Sequence, residues 1–252
     1  MELKIATFNI SGGFYCGDET QEYLDREAAT SVDNRLLNEI IENINKEDID
    51  IICFQEIITT KEIEYIDTIV NNTNLKYHES YELSSCNLVK DTDCGLAILS
   101  KYPITKTIKK LFTNPKISKT TSSGNTYYTY DKGYLMVSID VNEKELNILT
   151  HHGFPFRRFN SSPEQNPLTF QEFDNVINNL RPNVITGDFN AENFMDLMPK
   201  TNNSYKRIIN EVTTVDDKKF DDILILKDKS SKSQKIIKLL SDHFLIVVEF
   251  DY

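Results

Sequence analysis

Apolar positions along this chain fall into short blocks of two periods, one fitting strands and one fitting helices. Residues 4–10 alternate polar and apolar side chains, as a strand does when one face is covered. Leu36, Leu37, Ile40, Ile41 and Ile44 recur at helical spacing behind Ser31 and Asp33, two residues suited to opening a helix. Residues 49–54 form a largely apolar run, the mark of a strand covered on both sides. A second helix is predicted after Thr60, carrying Ile63, Ile66 and Val70. Further strands are expected at 95–100, 106–112, 133–141, 145–150, 184–186, 220–226 and 244–250. Between them, residues 170–180 read as a helix with Phe173, Val176, Ile177 and Leu180 inward. The stretch 116–130 (KISKTTSSGNTYYTY) reads as a long polar loop, of the length that tends to be functional.

With no internal repeat, linker or low-complexity tail, one domain over 1–252 is expected, and 252 residues can bury a core without staples. Mean hydropathy is −0.41. No apolar run approaches the ~18 residues of a membrane span, so no stable membrane association is expected. The opening MELKIATFNI reads as a strand and not a signal peptide. Cys16, Cys53, Cys86 and Cys94 form no C-x-x-C pair and lie near no histidine cluster. Zinc and a disulfide framework are therefore disfavoured, and a cytoplasmic protein with reduced thiols is expected.

The 39 acids and 28 bases give a net charge of −11, and their distribution matters more than their sum. Residues 18–67 hold 15 acids and 4 bases, whereas no acid lies between Asp93 and Asp131, where six lysines stand, Lys109 and Lys110 among them. Such a chain is no general polyanion binder, but it has one basic segment, ending in Tyr127, Tyr128 and Tyr130. In a nucleic-acid enzyme that segment would track phosphates with lysine and stack bases on tyrosine.

Several apolar blocks end in a short polar signature: Thr7-Phe8-Asn9, Gln55-Glu56, His151-His152, Gly187-Asp188-Phe189-Asn190, Asp221-Asp222 and Ser241-Asp242-His243. Each has a structural reading as a turn, a cap or a solvated charge. Together, at the ends of strands, one shared site explains them better, because rigid strands position side chains where loops admit substrate. Asn, Asp and Glu are hard oxygen ligands suited to Mg²⁺ or Mn²⁺, and two histidines add proton carriers. That set suits hydrolysis of a phosphate ester by an in-line water. No Gly-rich phosphate loop precedes a helix and no G-x-S-x-G elbow occurs, which disfavours nucleotide-dependent kinases and the usual serine hydrolases.

The ordered set TFNI, ICFQE, CGLAILSKYPI, ILTHHGFP, ITGDFNAEN, FDDILI and LSDHFLIVVEF resembles the endonuclease/exonuclease/phosphatase superfamily, with its deoxyribonuclease I-like fold. The resemblance implies a four-layered α/β sandwich, two mixed sheets face to face and flanked by helices. It also implies a divalent-metal phosphoesterase, with Mg²⁺ or Mn²⁺ as cofactor. Carried over residue by residue, Glu56 would be the principal metal ligand, with Asn9 beside it and Asp242 near. Asp188 would orient or deprotonate the attacking water, and Asn190 would hold it or a phosphate oxygen. His243 would polarise the phosphate or act as base, its ring oriented by Asp221 or, by a shift of register, by Asp222. Either His151 or His152 belongs to the site, and the H-x-x-P spacing to Pro155 favours His152. Arg157 and Arg158 are placed to touch a substrate phosphate.

FDDIL stands where inositol polyphosphate phosphatases carry C-D-R, and HHGFP departs from the abasic-site endonucleases. The expected substrate is nucleic acid, short or single-stranded because the acidic 18–67 segment repels a long duplex. The alternatives are a phosphatase, a sphingomyelinase-like lipid phosphodiesterase, or a non-catalytic binding member of the fold.

Overall fold

The structure is a computed structural model that describes residues 2–13, 28–31 and 34–252. Asp33, Cys16 and part of the acidic 18–67 segment lie outside those residues.

The chain builds two six-stranded mixed sheets. The first contains β1 (Glu2–Asn9), β2 (Ile51–Ile58), β3 (Tyr77–Ser85), β4 (Asp93–Ser100), β13 (Ser231–Lys238) and β14 (Phe244–Asp251), in the order β13-β14-β1-β2-β4-β3. The second contains β5 (Ile104–Leu111), β8 (Gly133–Val141), β9 (Lys144–His152), β10 (Val184–Asp188), β11 (Tyr205–Arg207) and β12 (Asp221–Leu226), in the order β11-β12-β10-β9-β8-β5. Each sheet has one parallel pair, β1 with β2 and β9 with β10, and the other pairings are antiparallel.

Alternation of side chains along each strand divides the apolar residues into three layers of contact. Leu3, Ile5, Ile51 and Cys53 face Leu135, Val137, Ile148 and Ile223 across the gap between the sheets. On the outer face of the first sheet, Ala6, Phe8, Ile52 and Phe54 pack on Leu36, Ile40 and Ile44 of α1 (Asn34–Glu47) and Ile69 of α2 (Tyr65–Asn72). On the outer face of the second, Met136, Leu149 and Ile185 pack on Phe170, Phe173 and Ile177 of α3 (Pro167–Leu180) and Phe194 of α4 (Phe194–Leu197). A further short helix, α5 (Pro199–Ser204), leads into β11. The result is the four-layered α/β sandwich, helix–sheet–sheet–helix. Among the described residues no helix is long and apolar enough to cross a membrane.

Three features depart from expectation. Residues 116–130 are not a plain loop: they fold back as a hairpin of β6 (Ser118–Thr120) and β7 (Thr126–Tyr128), with Thr121 and Asn125 closing its turn. The helix after Thr60 begins as a 3₁₀ turn, Lys61–Ile63, and becomes α2 only after Glu64 adopts a left-handed φ of 52°. β3, β11 and β13 were not anticipated, and all three are sheet edges, where polar sequence is normal.

Candidate active site

The two parallel pairs set the site. In a parallel pair both carboxyl ends emerge side by side, so Asn9 lies against Gln55 in the first sheet and His152 against Asp188 in the second. The antiparallel neighbours add their starting residues to the same rim. Asp221 opens β12 opposite Asp188, and His243 lies just before β14, whose strand pairs with β1.

Strand parity selects between adjacent residues. His152 shares the inner face with Ile148 and Thr150, whereas His151 shares the outer face with Leu149. His151 sits 4.2 Å from the Phe173 ring and 4.3 Å from Phe189, both of its ring nitrogens buried without a partner. Asp221 shares the inner face with Ile223, and Asp222 faces outward. There Asp222 is fully buried and accepts from Arg207 Nε at 2.6 Å and from the backbone N–H of Ile223 at 2.8 Å, which ties β12 to β11. Of the two pairs, the structure brings His152 and Asp221 to the rim and leaves His151 and Asp222 in packing roles.

Glu56 is aimed by a bulge. The β2–β4 register slips between Gln55 and Ile57, and Glu56 takes the left-handed φ of 53°. Gln55 thereby stays between the sheets, where its amide donates to Thr7 Oγ1 at 3.1 Å and Thr150 Oγ1 at 2.9 Å. These bonds join the two sheets directly beneath the site. The extra residue turns the Glu56 carboxylate into a narrow cleft lined also by Lys132, His152, Asp188, Asp242 and His243.

Around the cleft, hydrogen bonds fix most side chains. Asn9 Nδ2 donates to Asp188 Oδ2 at 3.0 Å, and Asn9 Oδ1 accepts from the Ser11 backbone at 3.0 Å. Asn190, itself at φ 50°, donates its backbone N–H to Asp188 Oδ1 at 2.8 Å and its amide to Asp188 Oδ2 at 3.1 Å. His243 Nδ1 lies 2.8 Å from Asp221 Oδ2, and its Nε2 lies 3.8 Å from Asp188 Oδ2. His152 Nε2 stands 3.4 Å from Glu56 and 3.5 Å from Asp188. Ser11 donates its hydroxyl to Asp242, and Ser241 donates to the Asn9 carbonyl at 3.0 Å.

The electrostatics follow from burial and crowding. Burial lifts the Glu56 carboxyl above its usual range; Asp242 and Asp188 add to the rise, and Lys132 and His243 oppose it. Burial also raises Asp188, partly offset by the His243 charge. His152 is held neutral, well below its ordinary value, by burial and by the charge of Lys132. Burial alone would lower His243, but Asp221, Asp242 and Asp188 outweigh it and keep the imidazolium stable well above the ordinary range.

This donor set fits a hard divalent cation. Glu56, Asp188 and Asp242 converge on one cleft with their like charges incompletely offset, and Asp221 Oδ1 is buried with no hydrogen-bond partner. Asp188, Asp221 and His243 also bring one donor atom each within 4.8 Å of one another. Among the described residues no sulfur ligand takes part, which suits Mg²⁺ or Mn²⁺ better than zinc.

Four lining residues were not anticipated, Lys132, Ser11, Asn87 and Phe159, whereas Tyr130 of the basic segment also reaches the cleft. Lys132 is the most consequential, buried with Nζ 3.0 Å and 3.2 Å from the two ring nitrogens of His152. Its signal was local, a lysine just before the strand Gly133–Val141, whose first residue pairs with His152. Arg158 lines this cleft, and with Arg157 it lines a second one beside it. Lys109 and Lys110 lie on the edge strand β5 and line neither cleft, and Lys109 is paired with Glu79 at 2.8 Å. Lys101 and Lys106 are likewise paired, with Asp48 and Glu145, so three of the segment's six lysines meet an acid.

Two mixed sheets joined at a rim of carboxylates, amides and two histidines define a sandwich-fold hydrolase. The chain belongs to the Endonuclease/Exonuclease/phosphatase family, whose sequence model matches residues 6–227. Among solved structures it is similar to the human nocturnin catalytic domain with bound sulfate, at 16% identity and TM-score 0.68, covering 99% of this chain and 93% of that one. It is similar to TDP2 of D. rerio complexed with a single-strand DNA product, at 13% identity and TM-score 0.62, covering 100% and 99%. It is also similar to the mannosyl-6-phosphatase Bt3783 of Bacteroides thetaiotaomicron, at 12% identity and TM-score 0.66, covering 99% and 100%. At these identities the likeness is one of fold. No curated protein matches the sequence.

Proposed function

We propose that the protein is a divalent-metal-dependent phosphoesterase that hydrolyses phosphodiester bonds in short or single-stranded nucleic acid. The observation that carries this reading is the convergence on one cleft of Glu56, Asp188 and Asp242 with a histidine, His243, pinned by Asp221 at 2.8 Å. Glu56, with Asn9 and Asp242, would hold Mg²⁺ or Mn²⁺, which would offset charge developing on the phosphate oxygens. Asp188 is the group to orient and deprotonate the attacking water, because burial raises its basicity and Asn9 and Asn190 fix its position. His243 gives its Nδ1 proton to the bond with Asp221 and directs Nε2–H at a phosphate oxygen. His152, kept neutral, and Lys132 add a dipole and a fixed positive charge on the opposite wall.

Polymer rather than small-molecule substrate is supported by the second cleft, which continues past His243 and is lined by Arg157 and Arg158. The net charge of −11 disfavours a long duplex. Free Cys53, Cys86 and Cys94 suit a reducing, cytoplasmic setting. The test is a hydrolysis screen in Mg²⁺ and in excess EDTA across single-stranded DNA, duplex DNA, RNA, sphingomyelin and phosphomonoesters. Metal-dependent cleavage led by the single-stranded polymers is expected. Turnover confined to monoesters or to lipid would overturn the nucleic-acid reading.

A further inference from the structure

The second cleft, about 910 Å³, adjoins the first and shares Pro155, Arg158, Asn190, Asp242 and His243 with it. Its wall is a layered construction. The Arg157 guanidinium lies over the Phe220 ring, 4.8 Å from its centre, and donates from Nη2 to Asp216 Oδ2 at 3.0 Å. Asp216 is held in turn by the Thr214 hydroxyl at 2.6 Å. The Arg157 side chain is nevertheless 51% exposed, so a cation anchored by Phe220 and Asp216 is accessible from the cleft.

Each piece of this wall is tied to a residue of the reaction centre. Phe220 directly precedes Asp221, which orients His243. Thr214 forms a β-bridge with His243, and the Val215 N–H donates to the Asp242 carbonyl at 2.8 Å. Arg157 stands in the 3₁₀ turn Phe156–Phe159, which follows the end of β9 at His152 after three residues. A group seated on Arg157 is therefore held in fixed register with a phosphate at His243.

We propose that this cleft is a nucleobase subsite and that Arg157 is its stacking platform. The inference rests on the phosphodiesterase reading and names the feature of the substrate recognised beside the scissile phosphate. A phosphate alone would be met by any exposed arginine or lysine. A guanidinium held over a ring and anchored by a carboxylate is instead a planar group fixed in place, of the kind on which heterocyclic bases stack. Asp216, 45% exposed at the same edge, adds an acceptor for the amino or imino N–H of a base.

Two measurements on the intact chain test this. In Mg²⁺, kcat/KM is compared for a single-stranded trinucleotide and for the same backbone carrying abasic residues. The wild type is expected to favour the base-bearing substrate by roughly five- to 100-fold, the range that loss of one stacked base produces. Arg157→Lys keeps the charge and loses the plane, and Arg157→Ala loses both; each should bring that ratio to within about threefold of one. Independently of turnover, saturation-transfer NMR with thymidine 5′-monophosphate should show the base protons in contact with the wild type, and the signal should fall in both variants. A ratio that survives in Arg157→Lys and Arg157→Ala, equal cleavage of both backbones by the wild type, or contacts confined to sugar protons would each overturn the subsite. Loss of all phosphodiester turnover with base contacts retained would instead overturn the hydrolytic reading and leave the subsite standing.

Discussion

Lys132 is the side chain whose placement most changes the chemistry of the site. An ammonium buried against His152, in the same cleft as Glu56, is a charge fixed in place, of the kind that would need no reorganisation during a reaction there. It also acts on its neighbours, opposing the rise at Glu56 and helping keep His152 neutral. Lys132→Met preserves the length of the stem and removes the charge. Removing one member of a buried charge cluster leaves its acidic neighbour Glu56 less compensated, so the melting temperature should fall, and kcat/KM measured on the folded variant should fall by about 100-fold. Activity within threefold of wild type would remove Lys132 from the reaction. The sequence did not single it out, because one lysine before an apolar strand is commonplace; its meaning comes from the pairing of Gly133 with His152.

At the scale of the element, face parity decides function. β9 ends in two histidines one residue apart, so one must face the gap between the sheets and the other the phenylalanines beneath α3. Burial lowers His151 to about 3, from an ordinary value of 6.5. A histidine depressed in the folded state contributes stability that is complete above pH 6.5 and is lost as pH falls toward 3, because only the unfolded chain takes up the proton. By pH 5 this one group should cost about 2 kcal/mol. His151→Leu should therefore flatten the fall in melting temperature between pH 7 and pH 5 and keep activity within about threefold, whereas His152→Ala should lose about 100-fold. Parallel melting curves for wild type and His151→Leu, or an inactive His151→Leu, would reverse the assignment. The central strands were legible because buried strands are apolar runs. β3, β11 and β13 were not, because an edge strand keeps one side in solvent and carries polar residues such as Lys232, Lys235 and Glu82. The hairpin in 116–130 was missed for the same reason: among the described residues its two strands pair with each other and join neither large sheet.

Across the whole molecule, the site exists only where the two sheets are joined. Asn9, Glu56, Asp242 and His243 come with the first sheet, His152, Asp188 and Asp221 with the second, and Gln55 bonds one to the other through Thr7 and Thr150. That division explains why the motifs were readable in order while their geometry was not. The polar signatures at strand ends are local, but which of two adjacent residues faces inward depends on packing against other elements, such as Phe173 and Phe189 on His151 and Arg207 on Asp222. The charge of the basic segment changes on folding for a related reason. Its lysines are free on paper, but Lys101, Lys106 and Lys109 meet Asp48, Glu145 and Glu79 once the strands pair. The central claim is that the joined rim works through a divalent cation held by Glu56. The most direct test is the rate of single-stranded DNA hydrolysis by Glu56→Gln beside the wild type, each in Mg²⁺ and in excess EDTA. Glutamine keeps the shape and removes a charge that burial disfavours, so the variant should melt no lower than the wild type. Its rate in Mg²⁺ should fall at least ~100-fold, and EDTA should silence the wild type. Full activity of Glu56→Gln, or of the wild type in EDTA, would contradict the account.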